Sequence, residues 1–113
     1  MARKRRTDRN HCLYQIRCIA TGERYIGLTV AVGRAFLKSV RKRWLTHVYQ
    51  ATVERRGHRL QRTIRKYGAE AFTHELLAVV RGKRAAHDLE MQMIRRRRPQ
   101  LNVEGTGRKS VRK

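Results

Sequence analysis

Residues 12–29 read CLYQIRCIATGERYIGLT, and their pattern decides how the rest of the chain is arranged. Two β-prone runs, 12–19 and 24–29, flank Ala20-Thr21-Gly22-Glu23, in which Gly22 can supply a left-handed turn position. A β-hairpin is expected. Positions that face each other in an antiparallel pair have a constant sum, and a four-residue loop makes that sum odd. Even positions of the first strand then share a face with odd positions of the second, so Tyr14, Ile16 and Cys18 stand with Tyr25 and Gly27. Two tyrosines on one face form either a core or the floor of a site.

The 113 residues suffice for one domain with a modest core. Twenty-nine Lys and Arg against 8 Asp and Glu give a formal net charge of +21, and self-repulsion of that size calls for a polyanionic partner. Nucleic acid comes first. No apolar run is long enough to span a bilayer and no signal peptide is visible, so neither a membrane nor export is expected. Cys12 and Cys18 lie on one proposed strand, roughly 20 Å apart at about 3.3 Å per residue, too far for a disulfide. They suit a reducing cytoplasm. No second Cys or His pair with zinc-finger spacing follows.

Residues 1–11, MARKRRTDRNH, are expected to form a basic arm that touches phosphates, and 108–113 a basic tail. From Arg34 onward the spacing is helical: Phe36, Val40, Trp44, Val48 and Ala51 make a stripe that Leu37 and Leu45 widen. Arg43 and His47 stand one turn apart at its border, while Lys38, Arg41 and Lys42 face solvent. A second helix, 59–67, turns Leu60 and Ile64 inward and Arg59, Arg62, Arg65 and Lys66 outward, and Gly68 closes it. Residues 72–80 read as a largely buried strand with Phe72, His74, Leu76, Ala78 and Val80 on one side.

The third helix spans 84–97 with Ala86, Leu89, Met93 and Ile94 inward, and Glu90 shares that apolar side. Burying an unpaired carboxylate costs several kcal/mol. Glu90 must therefore meet a cation, either an arginine or a metal ion. The element order is β-β-α-α-β-α, an α+β chain.

Leu13-Tyr14, Tyr25-Ile26-Gly27, Arg43-Trp44 with His47, Arg65-Lys66-Tyr67-Gly68 with Phe72, Leu89-Glu90 with Ile94, and Pro99 through Asn102 to Gly105 and Gly107 occur in that order. With these blocks, 12–107 resembles the GIY-YIG nuclease domain of homing-endonuclease type. Cys12 departs from the pattern, standing where the family has a glycine. The resemblance implies a three-stranded antiparallel sheet flanked by helices, and an endonuclease that hydrolyses DNA with one Mg²⁺ or Mn²⁺ held by Glu90. It implies Tyr14, Tyr25, Arg43, His47, Glu90 and Asn102 as catalytic residues, with His58 a further candidate.

In such a site Arg43 offers a planar, permanently charged fork to phosphate. Either tyrosine can serve as the base, Arg43 and the metal being expected to lower the phenol's pKa, with His47 within reach of the proton. Arg34, Lys38, Arg41, Lys42, Arg59, Arg62, Arg65, Lys66, Arg95 and Arg96 are expected to bind the backbone of duplex DNA. No separate recognition module is present, so sequence specificity would come from another subunit or a fused domain. The competing reading is a nonenzymatic, basic nucleic-acid-binding protein, which has no need of a carboxylate on an apolar helix face.

Overall fold

The structure, a computed structural model, describes residues 9–102. β1 (Asn10–Cys18) and β2 (Arg24–Val30) form the hairpin, followed by α1 (Phe36–Thr52) and α2 (Arg59–Tyr67). β3 (Phe72–Arg81) then adds a third strand, and α3 (Lys83–Arg97) leads to a closing 3₁₀ turn, Gln100–Asn102. The order expected from the sequence is the order observed, and the strands pair antiparallel as β2-β1-β3. β1 begins at Asn10, so Asn10 and His11 belong to the sheet and not to a basic arm. Residues 1–8 of that arm, Val103, the Gly105 and Gly107 of the closing pattern, and the tail 108–113 lie outside the described residues.

The Cys18 N–H donates to the Glu23 carbonyl at 2.8 Å, which sets the four-residue loop one position earlier than the sequence suggested. Gly22 takes the left-handed position, φ +79°. The facing sum is odd as expected: Tyr14 is opposite Gly27 and Ile16 opposite Tyr25, so both tyrosines share a face.

β3 departs from its sequence reading in two ways. Tyr14 faces Leu76 but Leu13 faces Ala78, so Leu77 is an extra residue in β3. This bulge interrupts the alternation, leaving Phe72, His74 and Leu76 on the tyrosine face and sending Ala78 and Val80 to the other. β3 is also an edge strand, half-buried or exposed along most of its length. A bulge there disturbs the flat edge that another strand could pair with.

On the tyrosine face, Cys12, Tyr14, Ile16 and Cys18 pack with Val40, Trp44 and Ala51 of α1 and Leu60 and Ile64 of α2. Leu37 and Leu45 do not widen the buried stripe; they are 72% and 53% exposed. Each stands about 100° further round the helix than Phe36 or Trp44, beyond the reach of the sheet. α3 contacts all three strands, and on the sheet face away from the tyrosines Leu13, Gln15 and Ile26 are buried. There Arg97 Nη1 donates to Gln15 Oε1 at 2.9 Å, and Gln15 Nε2 donates to Glu75 Oε1 at 3.0 Å, so the buried amide is satisfied at both ends. Among the described residues no helix is long and apolar enough to cross a membrane.

Candidate active site

Tyr14 owes its position to the glycine facing it. A Cβ on Gly27 would lie 2.5 Å from Tyr14 Oη and 2.8 Å from the Tyr25 ring, so only a residue without a side chain leaves room for both. The Tyr14 ring, 1% exposed, crosses that space and brings Oη to 2.8 Å from His47 Nε2. Tyr14, Tyr25 and His47 form a triangle of rings with centroids 5.3 to 6.3 Å apart. His47 is buried, not at the border of the α1 stripe, and its Nδ1 has no hydrogen-bond partner among the described residues.

Arg43, one turn earlier on α1, is half-buried and makes no ion pair among the described residues. It lines two cavities together with Tyr25 and Glu90. The larger, about 390 Å³, also takes in His47, His58 and Asn102. The smaller, about 260 Å³, adds Tyr14 and His87, so Tyr14, Tyr25, Arg43 and Glu90 converge on one concave surface. Glu90 is the only carboxylate lining either cavity among the described residues. Its side chain is 19% exposed, and the basic group it meets is His87, with Nδ1 3.6 Å from Glu90 Oε1. The arginine salt bridge that position alone would suggest is absent among the described residues.

Burial dominates the electrostatics of this cluster. It pushes the Tyr14 phenol well above its ordinary value; Tyr25 and Glu90 add to the rise and Arg43 opposes it. Tyr25 is raised in the same way, again with Arg43 opposing and Glu90 adding. The expected lowering by Arg43 is therefore real but outweighed. His47 is held down at about 4 by burial, then by Arg43, then by His58, which keeps its imidazole neutral at pH 7. Burial raises the Glu90 carboxyl, with His87 opposing.

Asn102 has a different position from the other expected residues. Its Oδ1 accepts the Ile26 N–H and its Nδ2 donates to the Ile26 carbonyl, both at 2.8 Å, so the amide caps the open edge of β2 as a neighbouring strand would. Of the expected DNA contacts, Arg34, Lys38, Arg41, Lys42, Arg62, Lys66, Arg95 and Arg96 are exposed. Arg59 and Arg65 are not simply outward-facing. Arg59 pairs with Glu23 of the hairpin loop at 2.8 Å, and Arg65 donates to the Ala51 and Arg56 carbonyls at 3.0 and 2.8 Å.

His87 is not among the residues the family resemblance implies, although its place three residues before Glu90 puts both on one side of α3. Among the described residues no three His, Cys, Asp or Glu side chains gather as a metal cage. A lone half-buried carboxylate without a Lys or Arg partner nevertheless fits Mg²⁺, which keeps several waters and takes one or two carboxylates plus phosphate oxygens. Compared with family models, with curated proteins and with solved structures, the chain matches none.

Proposed function

We propose that this chain is an endonuclease of GIY-YIG type that hydrolyses phosphodiester bonds of duplex DNA with one divalent ion. Glu90 carries the reading. In a chain of net charge +21 it lines a cavity with Tyr14, Tyr25 and Arg43, yet no Lys or Arg among the described residues pairs with it. A protein that only bound nucleic acid would bear the cost of that carboxylate with no return.

Mg²⁺ or Mn²⁺ held by Glu90 would supply positive charge to the phosphoryl oxygens and to the leaving 3′ oxygen. Arg43 offers its fork to the non-bridging oxygens, and Tyr25, which lines both cavities, positions the attacking water. Tyr14 takes a proton from that water as its own hydroxyl proton passes to His47 Nε2, 2.8 Å away. The resulting hydroxide attacks phosphorus and the P–O3′ bond breaks.

In the protein without DNA this proton transfer runs uphill, because burial raises the phenol and lowers the imidazole. A phosphate beside Arg43 opposes the cationic contributions that depress His47, so the substrate strengthens its own base. Asn102 acts as a positioning residue that keeps Tyr25-Ile26-Gly27 in place. The exposed arginines and lysines bind the backbone, which gives affinity with little sequence preference. Specificity would then come from another subunit or a fused domain.

Arg43→Ala and Glu90→Ala proteins test the assignment. Each is expected to bind duplex DNA in a mobility-shift assay and to leave supercoiled plasmid uncut. Cleavage by Glu90→Ala at the wild-type rate would remove the metal from the mechanism.

A further inference from the structure

We infer that His87 is a second protein ligand of the divalent ion and shifts the site's preference from Mg²⁺ toward Mn²⁺. The inference rests on the endonuclease reading and adds a residue and a metal preference to it. His87 and Glu90 are three residues apart on α3 and line the same cavity as Tyr14, Tyr25 and Arg43. Helical bundles hold metal ions with Glu and His three residues apart on one helix, there with Glu first, whereas here His87 comes first; the spacing puts both side chains on one side of α3 in either order.

The separation matters. Nδ1 of His87 and Oε1 of Glu90 are 3.6 Å apart, too long for a good hydrogen bond. Two ligands each about 2.1 Å from one ion, at angles between octahedral and tetrahedral, are about 3.0–3.4 Å apart, so a shift of a few tenths of an ångström lets both reach it.

As a simple ion pair the contact accomplishes little. The His87 side chain is 54% exposed, where an ion pair is weak. As a ligand pair the same geometry gives one nitrogen and one oxygen donor and leaves the remaining positions to water and phosphate. Mg²⁺ favours oxygen ligands, whereas imidazole suits the first-row transition ions, of which Mn²⁺ still accepts an oxygen-rich, open shell. Lys83, one turn before His87, lines the same cavity as Arg43, and both would attract an anionic substrate.

The test is Mn²⁺ binding to the full chain without DNA, read from the electron paramagnetic resonance signal of free Mn²⁺, with Mg²⁺ as competitor. His87→Ala is expected to weaken Mn²⁺ binding about tenfold or more, and Mg²⁺ binding by clearly less. Glu90→Gln is expected to abolish both. Mn²⁺ affinity unchanged within about twofold in His87→Ala, with Glu90→Gln inactive in binding, overturns the role of His87 alone. Retention of Mn²⁺ by Glu90→Gln overturns the one-ion site itself. In the unmutated protein, Mn²⁺ is expected to broaden the His87 imidazole resonances before those of exposed His74; broadening of both together counts against the site.

Discussion

The Glu90 carboxylate is largely buried and has no Lys or Arg partner among the described residues, a cost to the fold that a bound cation would offset. Glu90→Gln is therefore expected to raise the melting temperature in EDTA, by about 4–8 °C for each kcal/mol recovered. A divalent ion is expected to raise the melting temperature of the natural chain and not that of the variant. His47 gives the opposite pH dependence from Glu90. Its imidazole titrates at about 4 in the fold against 6.5 ordinarily, so between those values the unfolded chain holds a proton that the folded one refuses. Stability is lost as pH falls from 6.5 toward 4, on the order of 3 kcal/mol from this group. The raised Glu90 carboxyl works the other way, since it accepts its proton more readily folded than unfolded. Urea melts at pH 7 and pH 4.5 are expected to show a smaller acid loss in His47→Gln than in the natural chain. The position of His47 was present in the sequence, three residues after Trp44 and four before Ala51. Its polarity concealed it, because a stripe counted from apolar residues passes over a buried histidine.

The hairpin and the closing turn set the site's geometry. Gly27→Ala places a methyl 2.5 Å from Tyr14 Oη, so the ring must leave His47. A stability loss of about 1–3 kcal/mol is expected, with cleavage falling further than the unfolded fraction explains. Asn102→Ala removes both hydrogen bonds to Ile26 and is expected to cost about 1–3 kcal/mol, with faster hydrogen exchange at the Ile26 amide. The parity that joins Tyr14 and Tyr25 was legible because it depends only on loop length, and the place of Glu90 because helical spacing is regular. The bulge at Leu77 was not, since period-two alternation in 72–80 looks the same with or without an extra residue. Nor was the edge position of β3, because sequence order carries no strand order.

Under the proposed function, the net charge of +21 on 113 residues would govern how the protein meets DNA. Backbone neutralisation by six or more cations makes affinity fall about a thousandfold or more between 50 and 200 mM salt, and a filter-binding titration is expected to give such a slope. A shallow slope would mean that the exposed Lys38, Arg41 and Lys42 row of α1 and the Arg95 and Arg96 pair of α3 do not touch phosphate. Charge alone, however, suits any binder of nucleic acid; the proposed nuclease function rests on the cavity shared by Tyr14, Tyr25, Arg43 and Glu90. The most direct test is to incubate the purified chain with supercoiled plasmid in Mg²⁺, with EDTA and the Glu90→Ala protein as controls. The account predicts nicked and linear plasmid with Mg²⁺ and none in either control. Plasmid left intact by the natural chain in both Mg²⁺ and Mn²⁺, under conditions where it binds the DNA, would contradict it.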